Sequence, residues 1–389
     1  MESVKVNKYY CWQIISTVYY DEDYGSYMIK KRILLFSLLI FSACGSEQSS
    51  NSTDEERWIQ LKENAVVVNE LPSEFNTPYM QNLSTMGWED GIHISRDGLD
   101  LYCVYVPGDM LSFSLAGLDP DQFGPYLRGP LYGMDLISNP AGRTSWIHGD
   151  ILYSHRNSVS ENFTYWTNSG VSQAVFSEGA PFAYRKSGTV LEKFVFTSNN
   201  KASTYDTDIW SIDNTGLNPS GAGAPLLNFP HTVFTEDNPD MEYVGSNTVV
   251  VMFDSDNYPG GLGSHDIYFS ISDDNGSTWS AVKNLSSVNT ALQEHQPHLY
   301  KNSDGDWFLY FSATNTDGKL AVFRVKQLVA DNWNSWGSRQ LVISAGNTAG
   351  VGEPTLTDNG DLSFVVVYEN RDGGNYDRYD ADPWFMPKR

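Results

Sequence analysis

The stretch EDNPDMEYVGSNTVVVMFDS, Glu236–Ser255, decides the fold because its pattern recurs along the chain. An acidic residue leads to a proline, then to a turn carrying Gly or Asn, then to a run of alternating apolar residues. The same unit reads EGAPFAYRKSGTVLEKFVFTS around Pro181, EHQPHLYKNSDGDWFLYFSA around Pro297 and GEPTLTDNGDLSFVVVYE around Pro354. EDGIHISRDGLDLYCVYV repeats it with Ile92 in place of proline. Pro181, Pro239, Pro297 and Pro354 are spaced almost evenly. Between them run further short segments of period two, such as DIYFSIS and LAVFRV, and no long stretch carries a helical period. Period-two runs broken by Gly, Asn and Asp are strands and turns. A repeat of this length with several strands per unit predicts an all-β fold, one β-propeller with four antiparallel strands per blade.

Blade number turns on one gap. The interval from Ile92 to Pro181 is about one and a half times the interval between successive prolines. Reading SWIHGDILYSHR (145–156) as a degenerate unit inside that gap gives six blades, the count favoured here; passing over it gives five. The C-terminal YDADPWFMPKR reads as a last strand. Residues near 57–80 are expected to help close the ring, since an open propeller leaves an unpaired edge.

The chain has 389 residues, 14% of them aromatic, and a net charge of −23. That length supports a large core, and that charge argues against nucleic acid or anionic lipid as a main partner. The three cysteines, Cys11, Cys44 and Cys103, make no disulfide framework. Cys103 lies in the strand-like LYCVY and reads as a small core residue.

From Met28 the chain runs MIKKRILLFSLLIFSACGS: a basic start, an apolar run from Ile33 to Ala43 and small residues before Cys44. This resembles a bacterial lipoprotein signal, with Phe41-Ser42-Ala43-Cys44 as the lipobox. The resemblance implies a signal peptide over 28–43, cleavage before Cys44, acylation of that cysteine, and a cell-envelope site, with the outer membrane favoured because Gly45 rather than Asp follows. Residues 1–27 then fall outside the product. Removing 1–43 takes away five of 25 basic and four of 48 acidic residues, leaving 20 minus 44, or −24. Residues 44–56, Ser-rich and polar, read as a flexible tether, and 57–389 as the propeller.

Two further likenesses rest on motifs. Ser95-Arg96-Asp97-Gly98 and Ser303-Asp304-Gly305 resemble the TolB-like, WD-like (PD-type) propeller repeat of bacterial envelope proteins. Asp266-Ile267-Tyr268, Trp279 with Asn284-Leu285, Asn289-Thr290, and Glu294 with Pro297 extend that resemblance. Ser272, Asp274, Gly276, Thr278 and Trp279 spell S-x-D-x-G-x-T-W, which resembles the Asp-box of sialidases. That likeness implies a structural turn: in sialidases the boxes lie away from the active site, and the arginine-bearing segment of those enzymes is absent here.

Glu89, Glu178, Glu236 and Glu294 stand three residues before the proline or its equivalent, and Glu353 stands one before. Acids repeated in every unit read first as architectural caps, and second as a ring around one channel mouth. The ligand-binding candidates are Asp90, Glu236, Asp237, Glu294, His295 and Glu353, where the units begin. His295-Gln296 breaks the repeat most sharply. His295 and His298, three apart, face opposite sides of a regular strand and make a poor metal pair. No cofactor is expected. The acid-rich DSDNYPGGLGSHD and NRDGGNYDRYDAD would be the places for Ca2+ or another divalent ion. The first functional reading is therefore an envelope lipoprotein whose propeller binds a protein or glycan at the channel mouth without chemistry. The alternative is a carbohydrate-active propeller enzyme: a glycoside hydrolase, a sialidase-like enzyme, or a polysaccharide lyase using metal and histidine.

Overall fold

A computed structural model describes residues 54–111, 129, 130, 132, 148–173, 176–184, 191–200, 207–216, 219–256, 258–371 and 378–389. The expected leader 28–43, Cys44 and the tether as far as residue 53 lie outside the described residues.

The described chain opens with α1 (Asp54–Glu63), a helix that the sequence periodicity does not show. Glu55 and Glu56 occupy its first turn and Lys62 its last, each suited to the local end of the helix dipole. Its buried stripe is narrow: Trp58 and Lys62, one turn apart, go inward while Ile59 stays exposed. Two short strands follow, β1 (Val68–Asn69) and β2 (Tyr79–Met80).

Blade 1 holds β3 (Trp88–Ile94), β4 (Asp100–Val106), β5 (Asp150–His155) and β6 (Thr167–Asn168). Blade 2 holds β7 (Glu178–Tyr184), β8 (Leu191–Ser198), β9 (Asp208–Gly216) and β10 (Ala224–Pro225). Blade 3 holds β11 (Asp237–Tyr243), β12 (Val249–Asp256), β13 (His265–Ser272) and β14 (Lys283–Asn284). Blade 4 is β15 (Glu294–Lys301), β16 (Trp307–Thr314), β17 (Leu320–Lys326) and β18 (Gln340–Ser344). Blade 5 is β19 (Gly350–Leu356), β20 (Leu362–Asn370) and β21 (Arg378–Met386). All pairings between the strands of a blade are antiparallel, and the inner strands β3, β7, β11, β15 and β19 touch one another in a closed ring.

The propeller therefore has five blades, not the six favoured from sequence. SWIHGDILYSHR is no blade: it carries β5, the third strand of blade 1. The surplus length lies between β4 and β5, in residues 107–149. Closure comes from the N-terminal segment. β2 pairs with β21 as the outermost strand of blade 5, Tyr79 opposite Phe385, and β1 adds a fifth strand to blade 4, Val68 opposite Ser344. The core fills the spaces between blades. Ile94, Leu101, Cys103 and Leu152 of blade 1, for instance, meet Val365, Val367 and Ala381 of blade 5.

Each inner strand carries the same irregularity. The residue before the proline equivalent has positive φ: Gly91 (53°), Ala180 (44°), Asn238 (49°), Gln296 (54°) and Glu353 (57°). At each the pairing with the second strand shifts, forming a β-bulge. The following proline, where present, has no N–H to leave unpaired at that break. The repeat seen in sequence is thus a repeat of bulges, five of them around the axis.

Candidate functional site

The bulges shape the central channel. Each contributes three residues to its wall, from Gly91-Ile92-His93 in blade 1 to Glu353-Pro354-Thr355 in blade 5. The cavity on the axis is small, about 30 Å3, room for a water or two rather than a ligand. Its far end is plugged. Arg96, in the turn after β3, reaches across to donate to Glu242 of blade 3 and, at 2.7 Å, to the Leu299 carbonyl of blade 4. Burial raises Glu242 to about 7 even against the pull of Arg96. Midway, His298 stands 2.7 Å from Asp240 and accepts the Leu356 N–H on Nε2 at 3.0 Å. Burial raises Asp240 to about 8 and pushes His298 well below its usual range. The channel is closed at this far end.

Four buried carboxyl groups converge at the other end, the mouth, where the inner strands begin: Asp90 from blade 1, Asp237 and Asp254 from blade 3, and Glu353 from blade 5. Asp90 and Glu353 hydrogen-bond to each other, and Trp88 Nε1 donates to Asp90 at 3.1 Å. Gln296 binds two members at once: its side-chain amide donates to Glu353 and its backbone N–H donates to Asp254 at 2.7 Å. Asn238 Nδ2 donates to the same Asp254 oxygen at 2.8 Å. The Asp237 carboxylate accepts the Asn238 N–H at 2.9 Å. The strained backbone at Asn238, Gln296 and Glu353 is what aims these groups at one another; positive φ at non-glycine residues is the kind of local strain that clusters at sites.

Burial and mutual repulsion raise the pKa values of this cluster. Glu353 rises well above the usual carboxylate range, first from burial, then from the charges of Asp90, Asp254 and Asp237. Asp254 rises well above its range for the same reasons, burial first and then Asp237. Burial raises Asp90, while its bond from Trp88 opposes the shift. Burial moves Asp237 up to about 6. The groups acting most strongly on these four carboxyls include no lysine or arginine. Burial and crowding thus raise all four acids, Glu353 and Asp254 well above the usual carboxylate range and Asp237 to about 6.

His295 lies beside this cluster as one of a pair, its ring 4.9 Å from that of His265. Burial, and then the neighbouring His265, keep His295 neutral; burial does the same for His265 against the pull of Asp256. His295 and His298 do part company, but at a bulge rather than along a regular strand. His295 meets His265, and His298 lines the well.

Glu236 and Glu294, two of the six sequence candidates, do not join the cluster. Glu294 is fully buried and accepts the Thr290 N–H (2.8 Å) and hydroxyl (2.7 Å), with Arg339 as ion partner. Glu236 takes the Thr232 N–H at 3.0 Å and the Thr232 hydroxyl. Glu89 takes the same pair from Thr85, and Glu178 takes the Gln173 N–H at 2.9 Å. All four tie the incoming loop to the start of a blade, the capping role. Conversely, Asp254 was not singled out from sequence, nor was the amide of Asn238, and Gln296 was marked only as a break in the repeat.

The S-x-D-x-G-x-T-W turn is at the opposite end of blade 3 from the mouth, following β13. Asp274 accepts from the Ser272 hydroxyl (2.8 Å), the Thr278 N–H (2.8 Å) and the Thr278 hydroxyl (2.7 Å). Trp279 donates to the Leu227 carbonyl at 3.0 Å and packs edge-on against Phe229. The Ser, Asp and Thr side chains of the box bond within the turn, and the Trp ties the turn to the segment after β10.

No protein-family model matches the chain, and no curated protein sequence does. Similar solved structures include an α-L-arabinofuranosidase from Lactobacillus brevis, 12% identical over 78% of this chain and 92% of that one, with a TM-score of 0.46. Another is the catalytic domain of a GH62 α-L-arabinofuranosidase from Coprinopsis cinerea, 8% identical over 77% and 90%, TM-score 0.46. A protein of unknown function from Dyadobacter fermentans is 12% identical over 83% and 99%, TM-score 0.44. At these scores the likeness carries no argument about activity.

Proposed function

We propose that the protein is a carbohydrate-active enzyme of the acid–base hydrolase class, working at the propeller mouth, rather than a binding module without chemistry. The observation that carries this reading is the asymmetry of the mouth. A ring built for architecture or for a symmetric ligand repeats its acids in every blade. Here the acids come from blades 1, 3 and 5, and burial with mutual repulsion raises Glu353 and Asp254 well above the usual range and Asp237 to about 6. Glycoside hydrolysis uses such a pair: one carboxylic acid to protonate the leaving oxygen and one carboxylate to activate water or attack the sugar. Glu353, raised well above its usual range and hydrogen-bonded to Asp90, suits the acid. Asp237, near 6 and ionised at neutral pH, suits the base or nucleophile. Gln296 and Asn238 orient the group, and the plugged well behind it leaves approach from one side only.

The test is hydrolysis of aryl pentosides and hexosides and of plant and bacterial polysaccharides, read as released chromophore or reducing ends. Glu353→Gln and Asp237→Asn are each expected to lower kcat by about 10²–10⁴-fold, the usual worth of a general acid or base. Failure of the wild type on the whole panel, alongside glycan or protein binding that survives both changes, would return the function to binding alone.

We further propose, on the sequence of residues 28–44, that the enzyme is lipid-anchored in the cell envelope through Cys44, and on the 95–98 and 303–305 motifs that its repeat is of the TolB-like kind. An envelope glycan is then the expected substrate source. Cys44→Ser should move the protein from the membrane to the soluble fraction and abolish labelling by palmitate; unchanged fractionation and labelling would remove the anchor.

A further inference from the structure

The repeat contains a second acidic motif, at the blade junctions. Asp150, Asp208 and Asp266 recur at the period of the prolines, each at or next to the start of a third strand. Each also keeps one fixed offset from the capping glutamate of the next blade, Glu178, Glu236 or Glu294. Asp382 fills the same place in blade 5, opposite Val366 on β20, and meets Glu89 of blade 1. At the junctions of blades 2 and 3, 3 and 4, and 5 and 1, an aspartate of one blade acts on a buried glutamate of the next, and buried carboxylates are stabilised by a positive partner.

Two junctions have one of the ordinary kind. Lys62 from α1 stands 2.8 Å from Asp382 and 3.0 Å from Asp380 at the junction of blades 5 and 1. Arg339 pairs directly with Glu294 at the junction of blades 3 and 4. The junction of blades 2 and 3 differs. There His231 stands between the two acids, its Nδ1 3.5 Å from Asp208 Oδ1 and 3.5 Å from Glu236 Oε2. Neither contact has hydrogen-bond geometry: both ring nitrogens of His231 and Oε2 of fully buried Glu236 lack any hydrogen-bond partner. The imidazole nitrogen stands equally far from the two carboxylates.

From this spacing we infer that Asp208, His231 and Glu236 form a metal-binding site for a divalent ion of the Zn2+ kind, stapling blade 2 to blade 3. The three donor atoms lie within 4.8 Å of one another. Two donors each about 2.1 Å from a tetrahedral ion stand about 3.4 Å apart, which matches both histidine separations. One imidazole and two carboxylates form a mixed set suited to Zn2+, and His231 is slightly exposed, so water can complete the coordination. Outer partners hold two of the ligands. Thr232 fixes the other oxygen of Glu236, and Phe229 meets the His231 ring edge-on at 5.3 Å. Glu236 immediately precedes Asp237, so the ion would brace a mouth residue from behind.

The probe is Zn2+ alone, added to purified protein stripped with a chelator and measured by equilibrium dialysis. One equivalent should bind, and stripping should lower Tm. His231→Lys imitates the Lys62 junction and should fold, lose that equivalent with a fall in affinity beyond the ~10–100-fold of outer-shell changes, and show a Tm indifferent to chelator. Asp254→Asn/Glu353→Gln should keep the equivalent. The site is overturned if the wild type takes up no Zn2+, if His231→Lys keeps full stoichiometry, or if the mouth variant loses it instead. Should His231→Lys not fold, the wild type still decides: stoichiometric Zn2+ must abolish the pH titration of one histidine proton NMR signal, and an unchanged spectrum overturns the proposal.

Discussion

Blades 2 and 3 have the same backbone and opposite chemistry at the mouth. Both inner strands bulge at a positive-φ residue before proline, Ala180 in one and Asn238 in the other. Both begin with a buried glutamate that caps the incoming loop. Yet where blade 3 presents Asp237 and Asp254, blade 2 presents Gly179 and Thr197 at the corresponding register positions. The bulge is therefore a property of the architecture, and the acids are an addition to it. A propeller offers five equivalent platforms, and the site is defined by which of them carry a group that the others lack.

That contrast can be broken most directly by stability. Glu294→Ala removes a cap and strands Arg339 beside a buried hole, so a loss of about 3–5 kcal/mol is expected, as for other broken buried pairs. Asp254→Asn, at the mouth, should change stability by less than about 1 kcal/mol, or raise it. The amide still accepts from Asn238 and Gln296, and one of four repelling acids is gone. Urea unfolding of the two variants decides. If Asp254→Asn destabilises as much as Glu294→Ala, the mouth acids are structural and the division between cap and site fails.

The pH dependence sharpens the same contrast with a smaller effect. The folded pKa of Asp237, about 6, lies above its unfolded value, so the native state binds more protons between the two. Its contribution is fully present below about pH 4 and is lost as pH rises through about 6, by a few kcal/mol at most. Asp237→Asn should flatten that slope in a Tm-against-pH series. In the wild type any hydrolysis should rise over the same range as the base ionises, so activity and stability run in opposite directions. A variant whose Tm still falls between pH 4 and 6 as the wild type's does would place the titration elsewhere.

The fold was legible because bulges leave a signature: a proline recurring at an almost even interval in front of an apolar run. Blade number was misread for a physical reason. The connection between β4 and β5 is long, and length alone mimics part of a repeat. Of the site, Asp90, Asp237 and Glu353 were legible as mouth positions beside the prolines. Glu236 and Glu294 were named with them because the repeat places them only one or two residues away, yet that shift moves a side chain from the mouth into the blade junction. Asp254 had no such marker. It is contributed by a second strand, and none of its counterparts Val104, Thr197, Ser312 and Val365 is acidic. The bonds it accepts from Asn238 and from Gln296, the latter 42 residues away in sequence, show that it belongs with the others.

The smallest effect expected is at Ala180, and it tests what the bulge itself needs. Ala180 holds φ of 44°, a left-handed conformation unfavourable by roughly 1–2 kcal/mol for a residue with a Cβ. Blade 1 meets the same demand with Gly91, blade 3 with Asn238, a residue that tolerates it. In blades 4 and 5 the strained residues are Gln296 and Glu353, whose side chains lie in the mouth network, so strain and chemistry go together there. Ala180 has no polar side chain to offer, and its strain has no counterpart in the site. Ala180→Gly should therefore stabilise by up to about 1 kcal/mol, once the greater freedom of glycine in the unfolded chain is set against the relief. Activity should be unchanged. Gln296→Gly relieves the same backbone but removes the donor to Glu353, so it should lose activity whatever it does to stability. If Ala180→Gly lowers activity as Gln296→Gly does, then the strained bulge in blade 2 is part of the site's geometry, and the separation of platform from chemistry is wrong.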